Sequence, residues 1–499
     1  MGPEVSVAGI GLWLDWVVIL PRHMRTFFIQ TLGCKVNHYE SEQLATILRS
    51  HGLVEADAAT ADLRIINSCS VTVDAASKSR QWVRRATRLA VLQPNAMPAA
   101  VPPKGRTIVT GCWATGDKNE VENLPGVSAV LTHKDDIAQR LGQLLAEWNV
   151  AQPAPACSTG EVAEDRPVGM NSLPLLAGRQ NRHQRAFLKI QDGCDAHCTY
   201  CIIPTLRPTL WSKPIEKVLE EARSLVDAGH RELVLTGIFL GAYGHPTALR
   251  RRQEPDGQRR LARLIDALCT QVPGLMRLRL SSLEPGDLGQ TLINCLRSHE
   301  QVVPHFHLPL QSGSASILRR MNRQYTRDDF LHMVDRVRGG FDRPALTTDI
   351  IVGFPGETDE EFGQTIEVAT RAGFIHIHAF PFSPRPGTAA ARWEEDFVRG
   401  PIVGHRIKQL GELADHCSLG FRRSFVGQTV ELLVERENPK HEQSGANSRH
   451  GRCERYFDVH FETEASETGE LVKVRIDQVT QERTVGTLVQ TLIGAGMQS

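Results

Sequence analysis

The sequence predicts an α/β chain in three parts: a small α/β N-terminal domain over 24–148, a central partial barrel of six β/α units over 183–420, and a small β-barrel over 421–492. Three observations carry this. Strand-like apolar runs alternate with helix-period segments through the first two parts, as in a mostly parallel sheet. The last part changes to short β-like runs joined by turn-rich segments. Three cysteines, Cys194, Cys198 and Cys201, spaced C-x3-C-x2-C, directly follow the first strand-like run of the centre.

In the first part, strands are expected at 26–32, 63–67, 107–110 and 127–131, with helices over 40–51, 75–90 and 134–147. Each of the first three strands runs into a cysteine: Cys34, Cys69 and Cys112. In a parallel sheet the strand ends share one edge, where ligands bind, so the three thiols can meet there. Gly33 and Gly111 would let the backbone approach closely. Three ordinary half-buried cysteines are the alternative. The helix near 74–88 carries Lys78, Arg80, Arg84, Arg85 and Arg88, which serve either as phosphate contacts or as a solvated face.

Residues 149–182 lack periodicity and read as a linker, with Cys157 an ordinary free thiol and Arg179, Arg182 and Arg185 approaching the central cysteine loop. In the centre, strands are expected at 186–191, 232–236, 277–281, 305–309, 347–352 and 376–380. Helices follow near 214–228, 258–269, 288–299, 315–321, 327–338 and 359–372. Six β/α units in a row imply right-handed parallel winding, and active groups of such barrels come from the C-terminal strand ends. The polar segment 245–260, with Arg250, Arg251 and Arg252, reads as a disordered loop or as a species-specific RNA contact. Gly353, Pro355 and Gly356 read as a turn, and Cys269 and Cys295 as packing residues. In the last part, strands are expected at 426–435, 456–462, 470–476 and 484–492. Acids slightly outnumber bases there, so RNA binding would rest on Arg452, Arg455 and Tyr456 in one loop, with Cys453 structural.

With 57 Lys and Arg against 57 Asp and Glu, no global basic field advertises a nucleic acid; any RNA contact must be a local patch. Eleven cysteines, spread over a long chain, argue for a reducing compartment and metal use over disulfides. The apolar run 10–20 is interrupted by Asp15 and is too short to span a membrane; residues 1–23 read as an extension or a misassigned start.

Three thiolates would leave one iron of a cubane cluster without a cysteine, whereas zinc would need a fourth ligand such as His197. The 194–201 loop resembles the signature of radical S-adenosylmethionine enzymes. With Thr31-Leu-Gly-Cys-Lys-Val-Asn37, Asn67-Ser-Cys69 and Thr110-Gly-Cys112, the chain resembles the methylthiotransferase family, closest to the branch acting on N6-threonylcarbamoyladenosine in tRNA. After Cys201 that family often has Ala-Arg-Gly, and here Leu206-Arg207-Pro208 stands instead.

The resemblance implies a radical-SAM barrel, a TRAM-like C-terminal module and two 4Fe-4S clusters, on Cys194, Cys198 and Cys201 and on Cys34, Cys69 and Cys112. It implies S-adenosyl-L-methionine, which yields a 5′-deoxyadenosyl radical, with Tyr200 near the adenine and Thr236, Gly237, Ser281, Glu284 and Gln311 as contacts. It implies methylthiolation at C2 of the adenine at tRNA position 37, an external electron donor, a sulfur source and a cytoplasmic site, and leaves oligomeric state open. The rivals are the isopentenyladenosine tRNA enzyme, the ribosomal-protein enzyme and a non-catalytic RNA-binding protein with structural zinc.

Overall fold

The computed structural model describes residues 24–91, 105–148, 173–176, 184–249, 257–436, 448–463 and 468–493. The expectations for residues 1–23, for Cys157, Arg179 and Arg182, and for Arg250 to Arg252 lie outside the described residues.

Five parallel strands form the N-terminal sheet: β1 (Thr26–Thr31), β2 (Val54–Glu55), β3 (Leu63–Ser68), β4 (Arg106–Gly111) and β5 (Ala129–Val130), in the order β2-β1-β3-β4-β5. β3 is central and wholly buried. Its neighbours Ile65 and Ile66 point to opposite cores, one with Leu44, Leu48 and Leu141, the other with Val83, Val109 and Trp113. That is why the strand reads as a continuous apolar run rather than an alternation. The edge strand β2 was not expected, and the expected strand 127–131 shrinks to two residues. Helices α1 (Lys35–Ser50) and α2 (Val73–Arg88) follow β1 and β3. The short α3 (Cys112–Gly116) and α4 (Lys118–Glu122) follow β4, and α5 (Ile137–Glu147) closes the domain. Thr72 caps α2 by accepting from Ala75 N, and Asp136 caps α5 by accepting from Gln139 N.

In the centre, β6 (Ala186–Asp192), the antiparallel edge strand β7 (Trp211–Ser212), β8 (Glu232–Gly237) and β9 (Arg277–Leu280) form one sheet in the order β7-β6-β8-β9. A second parallel sheet holds β10 (His305–His307), β11 (Ala345–Val352) and β12 (His376–Pro381). Parallel bridges Leu278↔Val302 and Ser282↔His307 join the sheets into the expected open six-strand arc, with a thin seam at its middle. A one-turn helix α6 (Ile203–Leu206) follows the cysteine loop. Helices α7 (Ile215–Asp227), α8 (Gly257–Gln271), α9 (Gln290–Arg297), α10 (Ala315–Arg320), α11 (Arg327–Gly340) and α12 (Asp359–Ala372) wind outside. Thr326 and Thr358 start α11 and α12 with capping boxes. Gly353 and Gly356 hold φ +71° and +79° in a turn, as expected. The segment after Gly244 departs from the disordered reading: Thr247 Oγ1 and Ala248 N both donate to Asp195, at 2.6 and 2.7 Å, pinning it to the cysteine loop.

The long helix α13 (Gly400–Arg423) was not expected; it buries only Val403, Arg406, Leu410, Ala414 and Arg422. It leads into a closed barrel of β13 (Thr429–Val434), β14 (Ser448–Cys453), β15 (Asp458–Glu462), β16 (Leu471–Val479) and β17 (Thr484–Ile493). Four strands were expected; β14, Ser-Arg-His-Gly-Arg-Cys, is the missed one because it carries no apolar alternation. Cys453 is buried in this barrel's core. Among the described residues no helix is long and apolar enough to cross a membrane.

Candidate functional site

The C-terminal ends of β1, β3 and β4 lie level, with Thr31 beside Asn67 and Asn67 beside Thr110. The chain leaves each end through a cysteine: Cys34 at the N-cap of α1, Cys69 in the loop before α2, and Cys112 at the first position of α3. Gly33 (φ +106°) lies flat against Cys69, where a Cβ would meet the Cys69 Cβ at 2.9 Å. Gly111 (φ +91°) sits against β3, where a Cβ would meet Ser68 O at 2.3 Å. Both glycines are therefore needed for the close approach read from the sequence. Asn37 Nδ2 donates to Leu32 O and Ser68 O, and Asn67 Nδ2 donates to Asn37 O, so the two loops are laced together. Burial pushes the Cys112 thiol up to about 12, with Cys69 and Cys34 adding to the rise and Arg207 opposing it. The three thiols thus share one electrostatic neighbourhood.

The second trio follows β6. Gly193 (φ +78°) faces Thr209, whose carbonyl oxygen a Cβ would meet at 2.0 Å, and His197 takes φ +51°. Gln191 fastens the loop, donating to Asp192 O and Gly193 O and accepting from Phe239 N, each at 2.8 Å. Thr199 N donates to Met321 O, and Asn322 Nδ2 donates to His197 O. Burial pushes Cys194 and Cys201 up to about 12, and each feels Cys198 beside it. A bound metal ion would displace such protons. Among the described residues no group of three His, Cys, Asp or Glu side chains closes around a single ion.

Arg323, which sequence reasoning missed, ties this trio to the barrel. Its Nη1 donates to Cys198 Sγ at 3.2 Å and to Tyr200 OH at 3.4 Å, and its Nη2 pairs with Glu284. Tyr200 packs edge-on against Phe354. Thr236, Gly237 and Ser281 stand at the ends of β8 and β9, and the buried Ser281 Oγ has no hydrogen-bond partner among the described residues. Gln311 takes φ +62° and pairs its backbone with Asp349 and Ile351 of β11.

The two trios are neighbours. Ile202 and Leu206, just beyond Cys201, form a buried apolar contact with Cys112, and Leu206 also covers Gly116. Arg207 completes the junction. Its carbonyl accepts from Cys194 N at 3.3 Å. Its guanidinium grips both Glu40 oxygens at 2.7 and 2.8 Å, reaches Asp192 at 2.9 Å, and donates to His133 Nε2 at 3.2 Å. Lys189 bridges the same two carboxylates at 3.0 and 2.8 Å. Burial opposes the charge on Glu40, but Arg207 and Lys189 prevail and hold it at about 2. The departure from Ala-Arg-Gly noted in the sequence therefore keeps its arginine, which is the hub of the junction.

A cavity of about 1200 Å³ opens where the three parts meet. Gly33, Cys34 and Lys35 enter it from the first part, Thr236, Gly237, Ser281, His305, His307, Asp349, His376 and His378 from the strand ends, and Arg452 and Tyr456 from the last. The histidines were not foreseen, although β10 and β12 carry them at alternate positions, which puts them on one face. Tyr456 and its neighbours, the residues expected to meet RNA, have protein partners as well. The Tyr456 ring stacks on His305 at 4.4 Å, with Arg185, Arg279 and Arg452 around it at 5.3, 5.0 and 4.6 Å. Arg455 donates to the carbonyls of Arg343 and Asp342, and Arg452 pairs with Asp458. Tyr456 and Arg455 thus dock the small barrel onto the central one, while Arg452 braces Tyr456 from within the small barrel. On α2, Lys78 pairs with Asp74 and Arg80 with Glu120, leaving Arg84, Arg85 and Arg88 exposed.

Residues 188–369 match the Radical SAM superfamily, and residues 26–132 match Uncharacterized protein family UPF0004. Threonylcarbamoyladenosine tRNA methylthiotransferase MtaB of Bacillus subtilis (strain 168) is 36% identical over 454 residues, 91% of this chain and 94% of that one. The protein of the same name from Chlamydia pneumoniae is 35% identical over 471 residues, 93% and 98% of the two chains. Among solved structures, the radical S-adenosylmethionine methyltransferase TsrM from Kitasatospora setae, with cobalamin and a 4Fe-4S cluster bound, superposes with a TM-score of 0.50 over 74% of each chain at 13% identity, a likeness of fold. Relatives this similar over more than nine-tenths of the chain show its family: the chain belongs to the threonylcarbamoyladenosine tRNA methylthiotransferase family.

Proposed function

We propose that this chain attaches a methylthio group to C2 of N6-threonylcarbamoyladenosine at position 37 of tRNA, using S-adenosyl-L-methionine and two 4Fe-4S clusters. Cys194, Cys198 and Cys201 hold one cluster and Cys34, Cys69 and Cys112 the other. The observation that carries this reading is the shared cavity: Cys34 of one trio and the strand-end residues Thr236, Gly237 and Ser281 beside the other open onto it together. C2 of adenine has no acidic proton, so side-chain acid–base chemistry is a poor route to it. Cys194, Cys198 and Cys201 would hold the cluster, which would supply the electron for cleaving S-adenosyl-L-methionine, the radical chemistry that this C–H bond requires.

The chain's own residues bind and orient. Three thiols per site leave one iron open to a ligand. The unpartnered Ser281 Oγ and the Thr236 hydroxyl suit the ribose and amine of S-adenosyl-L-methionine. Glu284 reaches that cofactor through Arg323, which keeps its carboxylate beside Cys198. Tyr200 and Gln311 complete the cofactor wall. The exposed Arg84, Arg85 and Arg88 of α2, which begins just after Cys69, offer the phosphate track. A tRNA substrate, an external one-electron donor and a sulfur source complete the system, in the cytoplasm.

The test is anaerobic. Protein reconstituted with iron and sulfide should hold about eight irons per chain. With S-adenosyl-L-methionine, reductant and tRNA carrying N6-threonylcarbamoyladenosine, nucleoside mass spectrometry should show the 2-methylthio product. Methylthiolation of isopentenyladenosine tRNA instead, or protein that loads zinc and makes no product, overturns the reading.

A further inference from the structure

Lys35 is the cation that the cavity leaves unanswered. It follows Cys34 as the first residue of α1, is half-buried and lines the cavity. Its ammonium makes no ion pair or hydrogen bond among the described residues. The carboxylate that acts on it, Asp349, acts more weakly than Tyr456 and two arginines and already meets His307 Nε2 at 3.2 Å. The other titratable groups acting on it are Tyr456 and two cations with partners of their own: Arg185 pairs with Glu435 at 3.0 Å and Arg279 with Glu232 at 2.7 Å. A half-buried ammonium facing further positive charge is unfavourable unless an anion joins it. His305, with burial and Arg279 pushing it well below its ordinary value, supplies no charge of its own. The wall around Lys35 therefore favours one anionic group entering from the cavity.

We propose that Lys35 reads the carboxylate of the threonylcarbamoyl group, pairing its free ammonium with the one anion that distinguishes this nucleoside from plain adenosine. This rests on the substrate reading above and makes Lys35 the specificity-determining residue of that site. The position fits the chemistry. Lys35 adjoins Cys34, so a base whose C2 approaches the N-terminal trio brings its N6 substituent into the same cavity. Tyr456, within the field of Lys35, places a hydroxyl on the same wall. A backbone phosphate would be the other anion able to meet an ammonium, and the two are separable.

The experiment uses the holoenzyme with both clusters loaded and two synthetic anticodon stem-loops, one carrying N6-threonylcarbamoyladenosine and one carrying its methyl ester. The ester keeps every phosphate and removes only the carboxylate charge. Wild-type kcat/KM should fall roughly 10- to 100-fold from acid to ester, the worth of one hydrogen bond to a charged group. Lys35→Met should fall by the same factor on the acid, lose nothing further on the ester, and keep its iron content and uncoupled 5′-deoxyadenosine formation. Lys35→Arg should restore part of the discrimination. If the wild type uses the ester as well as the acid, the proposal is overturned without recourse to any variant. If Lys35→Met discriminates as the wild type does, it is overturned too. A wild-type enzyme that methylthiolates neither stem-loop nor the full tRNA instead sinks the substrate reading.

Discussion

Replacing Arg207 with Met should separate the two cysteine trios energetically. The wild-type guanidinium donates to both oxygens of Glu40 and to Asp192, in a setting where all three side chains are nearly inaccessible. Its loss leaves two buried carboxylates sharing the single ammonium of Lys189. Breaking a buried, hydrogen-bonded pair by removing one partner costs about 3–5 kcal/mol. The depressed acidity of Glu40 gives a second route. Its carboxyl is held at about 2 against an ordinary 4.5, a difference of 2.5, which at about 1.4 kcal/mol per unit is about 3 kcal/mol. Lysine would keep a charge but not the fork that spans two carboxylates. Urea unfolding of Arg207→Met, Glu40→Met and the double variant forms the assay. Each single change should cost about 3 kcal/mol, and the double should cost less than their sum by roughly 1–3 kcal/mol. Coupled methylthiolation should fall further than uncoupled cleavage of S-adenosyl-L-methionine, because the barrel trio keeps its own anchors. A single variant within 1 kcal/mol of wild type, or an additive cycle, would refute the claim that this network sets the junction.

Three further outcomes follow from the same geometry. Gly111→Ala would drive a Cβ to 2.3 Å from Ser68 O at φ +91°, so iron content should drop from about eight toward about four per chain while the barrel cluster still loads. Tyr456→Ala removes a ring enclosed by His305 and three arginines, and calorimetry should show the C-terminal barrel melting as a separate, earlier transition. Burial, with Arg207 second, lowers His133 from 6.5 to about 3, so the unfolded chain takes up a proton below pH 6.5 that the folded chain refuses until about 3. Stability should therefore be lost as pH falls through this window, by up to about 1.4 kcal/mol per pH unit. His133→Gln should flatten that slope between pH 6.5 and 5, and an unchanged urea-midpoint profile would contradict it.

The parts of the fold that were legible in the sequence are those where periodicity and burial coincide. β3 and β11 read clearly because both are long and enclosed. β14 was illegible because a barrel closes through backbone pairing, and Arg449, His450 and Arg452 need no apolar pattern to pair with β13 and β15. Helix α13 hid for a related reason: it has four glycines and a narrow buried stripe, and tertiary contact rather than propensity holds it. Loop composition misled at residues 245–249, where a polar segment is fixed by two hydrogen bonds to one aspartate.

The site divides along the same line. Cysteines announce themselves through spacing and through the strand ends they follow, because parallel topology carries those ends to one edge whatever the rest of the chain does. The residues that relate one trio to the other announce nothing. Glu40 and Arg207 are 167 residues apart, and each alone reads as a surface charge. Only the fold brings them together, and only burial makes their pairing strong. Arg323 is alike: it is one arginine among many until Cys198, Tyr200 and Glu284 converge on it. Lys35 carries the point furthest. As the neighbour of Cys34 it lies inside the most legible motif of the chain, yet its significance is that its ammonium has no partner among the described residues while the carboxylate acting on it, Asp349, already meets His307. A sequence can display an ammonium, but whether that ammonium waits for a substrate depends on the partners of Asp349, Arg185 and Arg279, which the central barrel and the small β-barrel supply.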